Sequence, residues 1–328
     1  MRRTVLSIAF FLFAAAFISS PAGAAALEIK LGIVTTPGSA QHVTAVKFKE
    51  LAEARSGGDI SVKIFHSGSL GSETEILQQV QMRAVEMAII TLGPFDVFVP
   101  EVKVVSFPFL FDSFEEADRI LDGPLGREVL DSLERAGFKG LAFSENGFRN
   151  LTNDMRPVDS AADVEGLKIR VMESNLHKEL WRTLGANPTP MPWPIYTELA
   201  QGTIDGQENP LWVMWVYKLH EVQKYLTLTR HVYSAHIDVA NLDWFNSLPD
   251  DKRQLIEVSM REAAHHQRAW NRANNEDFLN KLKSRGMSVV DRPDLDSFRN
   301  EAVKLKEMDI YSDPNVQRLL SKFLRAVN

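Results

Sequence analysis

The chain has 328 residues, 45% of them apolar and 24% charged, with no cysteine and a net charge of −6. That is the composition of a globular protein with room for two domains. It excludes disulfides and cysteine-based metal sites, so stability must come from a substantial core. The acidic balance and the absence of a basic stripe exclude nucleic acid as a partner. An anionic ligand remains open, because one buried arginine outweighs a diffuse surface field at close range.

The first 26 residues stand apart. Arg2 and Arg3 precede an apolar run from Val5 to Ile18, followed by small residues from Ser19 to Ala26. A basic start, a short apolar run and an Ala-x-Ala site form a secretory signal, cut after Ala24 or Ala26. A membrane-spanning helix needs about 20 apolar residues, more than this run provides. Removing 1–26 lowers Lys+Arg from 37 to 35 against 43 acids, giving a net charge of −8. Without a cysteine there is no lipid-modified N-terminus, and the expected location is the periplasm.

Leu27 to Val34 alternates as a first strand, Gln41 to Ala54 carries helical spacing, and Ile60 to Phe65 alternates again. Ser72 to Arg83 reads as a second helix and Val85 to Thr91 as a third strand, a βαβαβ pattern that predicts parallel pairing. Phe107 to Phe111 is apolar packing beneath a loop. Glu115 to Gly137 reads as one helical stretch, Lys139 to Phe143 as a strand, and Asn146-Gly147 as a turn. A second unit follows: strand at Lys168–Val171, helix at Asn175–Leu184 stopped by Gly185, extended chain at Thr189–Met191, helix at Tyr196–Gln201 and strand at Thr203–Gly206. Two α/β units predict two lobes with a cleft between them, and no internal repeat is visible.

A long helix is expected from Pro249 to Arg285, closed by Gly286, with Ser247 as its cap and Asp250 and Asp251 at its positive end. Ile256, Met260, Ala263, Gln267, Trp270, Asn274 and Phe278 fall along it at three- and four-residue steps. At 1.5 Å per residue it would extend about 55 Å, long enough to cross both lobes.

The block from Asp163 to Tyr233 holds the residues suited to ligand chemistry. Arg170, at the end of a β run, presents a planar fork that grips a carboxylate bidentately; a salt bridge to a domain acid is the alternative. Asn209 precedes Pro210, which imposes an extended or turn geometry. Its amide can orient a ligand oxygen, or it can simply form a turn at a helix start. Trp193, Trp212 and Trp215 place three of the six tryptophans within 23 residues. Trp212 and Trp215 share a helix face; Trp215 is read as core packing, and Trp193, between two prolines, as the better pocket candidate.

Enzyme signatures do not converge. The eight histidines form no HExxH arrangement. His265 and His266 are read as surface residues, and His236 has no acid or nucleophile partner in the sequence. Ser67 to Ser72 could form a helix-start anion site but lacks the lysine of a phosphate loop. Neither a metal nor a cofactor is expected.

Taken together, HSGSLG, ENGFRNLTNDMRPV, GLKIRVMES, LGANPTPMPW, GTIDGQENPL and HEVQKYLTLTRHVY resemble the solute receptors of tripartite ATP-independent periplasmic (TRAP) transporters, the C4-dicarboxylate-receptor-like family. The resemblance covers nearly the whole chain after the signal. It implies a two-lobed α/β fold with a ligand cleft, crossing strands and a long helix spanning both lobes, drawn here as 27–146 plus 235–274 and 147–234 plus 275–328. It further implies that Arg170 is the carboxylate clamp, Asn209 its companion, Arg149 a second positive group, and Trp193 the aromatic where the family usually has phenylalanine. Thr91-Leu92-Gly93-Pro94 lacks the acid of the sialic-acid branch, which argues against that ligand.

The candidate ligand-binding set is Arg170, Asn209, Arg149, Trp193, Trp212, Thr91, Phe95 and His236. The implied function is a non-catalytic, monomeric receptor that delivers a small organic acid anion to the small and large subunits of a TRAP permease. An aromatic, keto or hydroxy monocarboxylate, a sugar acid and a C4-dicarboxylate all remain open. A receptor feeding a sensor kinase, and a periplasmic enzyme acting on the same acids, are the rival readings.

Overall fold

The computed structural model describes residues 27–327, so the expected signal segment lies outside the described residues. Among the described residues, nine strands form one mixed sheet. In the first half, β1 (Leu27–Gly32), α1 (Ala40–Arg55), β2 (Ile60–Phe65), α2 (Glu73–Gln81) and β3 (Met87–Thr91) follow one another in two parallel crossovers. The alternating strands and the helix face between them fall within a few residues of the boundaries that periodicity predicts. The stretch from 115 to 137 differs. It divides into α3 (Phe114–Leu121), α4 (Pro124–Ser132) and a 3-10 turn, because Gly123-Pro124 interrupts the helix and Pro124 starts a new one.

β4 (Phe138–Asn153) runs 16 residues and pairs antiparallel with β8 (Tyr225–Asn241). The second half contains β5 (Lys168–Val171), α5 (Asn175–Thr183), β6 (Asn187–Pro190), α6 (Tyr196–Ala200), β7 (Gly206–Asn209) and α7 (Leu211–Val216). After β8 come α8 (Leu242–Asn246), α9 (Asp250–Ser284), β9 (Ser288–Val290), α10 (Leu295–Ala302) and α11 (Pro314–Val327). The sheet order is β2-β1-β3-β8-β4-β7-β5-β6, with β9 on β8. The parallel triplet β2-β1-β3 is thus matched by β6-β5-β7, a structural repeat that the residues themselves do not display.

β4 and β8 cross between the halves. The start of β4 pairs with the end of β8, which lies beside β3, whereas the end of β4 lies beside β7 and the start of β8 beside β9. The expected turn at Asn146-Gly147 is therefore a correction: the pair sits mid-strand, at a register shift between Glu145 and Gly147. Gly147 has φ 120°, and a Cβ there would lie 3.3 Å from Asn271 and 3.4 Å from Pro210. Glycine serves a bulge pressed by two neighbouring elements, a local conformation that resembles a turn in sequence.

α9 spans 35 residues and about 52 Å. Ile256, Met260, Ala263 and Ala264 enter a core with β1, β2 and α1, while Phe278 and Leu282 enter a separate core with α7 and Leu226. Between those ends, Gln267 grips the β4 bulge: its Oε1 accepts from the Glu145 N–H at 2.7 Å and its Nε2 donates to the Glu145 carbonyl at 2.8 Å. Ser247 does not cap this helix. Pro249 occupies the cap position, and the Ser247 hydroxyl donates to the Trp244 carbonyl in α8.

The opposite sheet face carries one continuous core across both halves. Alternation along β3 sorts its side chains, Ala88 and Ile90 to this core and Met87 and Ile89 to the other face. The 107–111 run is largely buried here, with Phe107 edge-on to Tyr311. α11, expected in the second lobe, instead joins the first half: Arg318 and Lys322 pair with Glu128 of α4. Among the described residues, no helix is long and apolar enough to cross a membrane.

Candidate ligand-binding site

In parallel α/β units, ligands settle beyond the carboxyl ends of the strands, where helix starts also converge. Both triplets point those ends at one cleft with about 410 Å³ of empty space, part of it open to solvent. Val34 and Thr35 follow β1, Gln41 and Glu73 open α1 and α2, and Thr91 ends β3. From the other half come Arg170 and Met172 at the end of β5, Trp193 after β6, Asn209 at the end of β7, and Trp212, Val213 and Tyr217 in and after α7. The crossing strands contribute Asn146, Arg149 and His236. At one rim the halves touch, the Tyr217 hydroxyl accepting from the Thr36 N–H at 3.0 Å.

Arg170 is 4% exposed. Its Nε and Nη2 donate to the Met191 carbonyl, and its guanidinium lies 5.6 Å from the Trp193 ring centroid. It forms no ion pair among the described residues. Burial and the neighbouring Arg149 push its pKa down to about 10, so it stays charged at neutral pH. A buried cation held only by a carbonyl and a ring has unused capacity for an anion.

Arg149 lines the same cavity but is already neutralised. Its Nε and Nη2 donate to the Glu208 carboxylate, which also meets His231 Nε2 at 3.1 Å and His177 Nδ1 at 3.3 Å. Despite complete burial, these partners hold the Glu208 pKa well below the usual carboxylate range. Arg149 therefore adds little net charge to the cleft.

The Asn209 amide is oriented from a distance. Gln223 Nε2 donates to the carbonyls of Asp205 and Val222, leaving its Oε1 to accept from Thr152 Oγ1 at 2.9 Å. The Thr152 oxygen then accepts from Gln207 Nε2 at 2.8 Å, and Gln207 Oε1 accepts from Asn209 Nδ2 at 2.6 Å. Fixed carbonyls at one end thus set which way the Asn209 amide faces at the other.

His236 is 1% exposed, and burial together with Arg149 lowers its pKa to about 3, so its ring is neutral. Its Nδ1, the Asn146 Oδ1 and the Trp193 Nε1 are buried without a hydrogen-bond partner among the described residues. Trp212 is 2% exposed and donates to the Asn146 carbonyl at 2.8 Å, while Trp193 stands edge-on to Tyr217 with centroids 4.6 Å apart. Thr91 lines the cleft, but both its N–H and its hydroxyl are directed to Glu73 at 2.8 Å.

One candidate is misplaced. Phe95 is fully buried in the core, edge-on to Phe138, and does not line the cleft, because a 3-10 turn after β3 rotates it inward. Trp215 is absent from the cleft as well; it stacks on His220 and packs against the α7 core. His265 and His266 lie exposed on α9. Ser72 caps α2 in a reciprocal box with Glu75, so that helix start uses its own donors. Sequence reasoning missed Thr35, Gln41, Glu73, Asn146, Met172 and Tyr217. The available signal was position: Gln41 and Glu73 open the helices that follow strand ends.

A family model for the bacterial extracellular solute-binding protein family 7 (DctP) matches residues 31–309. A solute-binding protein of Verminephrobacter eiseniae is 39% identical over 272 residues, covering 83% of this chain and 81% of that one. The 2,3-diketo-L-gulonate-binding periplasmic protein of Escherichia coli is 34% identical over 294 residues, covering 89% of this chain and 90% of that one. The crystal structure of a TRAP periplasmic solute-binding protein from a Polaromonas species, bound to D-erythronate, superposes with a TM-score of 0.87 at 33% identity, covering 91% of this chain and 98% of that one. An α/β cleft assembled from two matched strand triplets, a buried arginine without a counter-ion among the described residues and a family match across most of the chain agree, and the protein belongs to the family 7 solute-binding proteins, the periplasmic receptors of TRAP transporters.

Proposed function

We propose that this receptor captures a small organic acid by its carboxylate and delivers it to a TRAP membrane permease without altering it. The observation that carries the reading is Arg170, a buried guanidinium that meets a carbonyl and a ring but, among the described residues, no carboxylate. The ligand carboxylate takes the open side of that fork, with Asn209 as its second polar contact. Arg149 forms part of the floor, and Trp193 and Trp212 form apolar walls. The relatives are consistent with this assignment, since one is named for 2,3-diketo-L-gulonate and another holds D-erythronate.

A ligand touching both halves favours the closed arrangement, because only there are all its contacts made. Export rests on the first 26 residues, with cleavage after Ala24 or Ala26, which N-terminal sequencing of the periplasmic protein tests. For the function itself, mass spectrometry of ligand carried through purification, followed by calorimetric titration of that compound, is the direct test. Recovery of an unmodified carboxylic acid that rebinds supports the reading. Recovery of a cationic or neutral ligand, or of a chemically converted acid, overturns it.

A further inference from the structure

A second cavity lies away from the cleft, along the first part of β4. Residues 150–153 of that strand pair with β7, but from 138 to 149 its one strand neighbour among the described residues is β8. Side chains from two helices meet this stretch instead. Arg127 of α4 donates to the Gly140 carbonyl at 3.4 Å, and Arg268 of α9 to the Phe143 carbonyl at 2.6 Å. Around them is a pocket of about 560 Å³ of empty space, part of it open to solvent, that shares no lining residue with the cleft. Small-molecule sites commonly enclose about 300–1,000 Å³.

Exposure sorts its lining. Leu121, Leu130, Leu141, Phe143 and Ala264 are each at most 4% exposed, so they form the deep wall, whereas Arg261 is exposed and Arg127 half-buried at the mouth. The charges do not balance. Arg268 donates to both Asp118 and Asp122, which uses up Asp122, the one carboxylate in the lining. Arg127 is left with its carbonyl and with Asp131 at 3.9 Å. Arg261 forms no hydrogen bond or ion pair among the described residues, and its neighbour Glu262 is paired with Arg55. Two under-used guanidinium groups thus stand over an apolar wall, on a chain whose net charge is −6.

We propose that this pocket is a second binding site, for an amphiphilic carboxylate of medium chain length. The apolar chain lies on the wall from Leu121 to Ala264, and the carboxylate meets Arg127 and Arg261. Both parts are needed. A small anion at these exposed arginines is screened by water and gains little, and a neutral chain leaves the two cations unused. The site goes beyond the transport reading and does not depend on it, because no cleft residue takes part.

Calorimetric titration with octanoate, octanamide and acetate tests this, the last two carrying the chain without the charge and the charge without the chain. The proteins are the wild type, Arg170→Met, and two double variants, Arg127→Gln with Arg261→Gln and Arg127→Glu with Arg261→Glu, each checked for folding by circular dichroism. The wild type and Arg170→Met are expected to bind octanoate saturably at one common site. Octanamide and acetate should bind at least about tenfold more weakly, the scale of one charge-assisted hydrogen bond. The glutamine pair should weaken octanoate by about tenfold or more, and the glutamate pair should abolish its binding. Absence of saturable octanoate binding, octanamide binding as tightly as octanoate, or octanoate affinity unchanged in the folded double variants overturns the proposal. Loss of octanoate binding in Arg170→Met overturns it too, since that places octanoate in the cleft. If Arg170→Met instead binds the co-purified acid as well as the wild type does, the cleft reading falls and this site stands.

Discussion

Replacing Arg170 with methionine should have opposite effects on the empty and the loaded protein. In the empty protein the guanidinium is buried without an ion pair among the described residues, and burial together with the neighbouring Arg149 pushes its pKa down to about 10. At 1.36 kcal/mol per pKa unit, that depression corresponds to about 3 kcal/mol of unfavourable burial. Losing the two hydrogen bonds to the Met191 carbonyl offsets roughly 1–3 kcal/mol of this. Arg170→Met should therefore unfold at equal or higher urea concentration than the wild type, with a gain of between zero and about 2 kcal/mol. Binding should move the other way. Removing one partner of a buried charge pair costs about 2–5 kcal/mol, or roughly 30- to several-thousand-fold in affinity. Urea denaturation followed by circular dichroism reads the first effect, and calorimetric titration of the co-purified acid the second. Unchanged affinity, or a loss of more than about 2 kcal/mol in the empty protein, would show that Arg170 is a structural residue.

Arg149→Met should behave in the contrary sense, losing about 3–5 kcal/mol of stability because Glu208, fully buried, is left without its guanidinium. Adding Glu208→Gln should restore part of that loss, and an additive double variant would refute the coupling. Asp238 is buried with one carboxylate oxygen unpaired among the described residues, and burial pushes its pKa up to about 8. The folded state then binds a proton that the unfolded state releases above about pH 4, so this residue's contribution to stability falls as pH rises from about 4 through 8. Asp238→Asn should gain on the wild type by about 1.4 kcal/mol per pH unit across that window. A constant difference between pH 5 and pH 8 would refute it. Gly93→Ala should weaken ligand binding by about 1–3 kcal/mol with little change in stability. Its Cβ would lie 2.1 Å from the Met172 sulfur and 3.2 Å from Ser174 Cβ, residues of the other half. The flexible Met172 tail draws the effect toward the lower limit, and affinity equal to the wild type would show that these surfaces separate in the bound form.

Sequence alone determined the elements whose signal is local. The strand Ile60–Phe65 alternates, the helix that follows Ser39 carries its apolar residues at helical spacing, and the long helix from Asp250 shows one dominant period. Arg170 and Asn209 were also legible, because a fork-shaped cation at a strand end and an amide before proline are unusual in themselves and lie within recognisable motifs. The tertiary structure decided everything that depends on what distant strands bring together. Asn146-Gly147 is a bulge because α9 and Pro210 press on it, and Phe95 is core because a short turn aims it at Phe138. The pairing of Arg149 with Glu208 spans 59 residues, and the relay from Gln223 to Asn209 passes through Thr152 and Gln207. Glu73 resembles any exposed acid at a helix start until Thr35, Gln41 and Thr91 are placed around it. Backbone propensity is written in neighbouring residues, whereas the charge state and free valences of a binding site depend on partners that only the fold supplies.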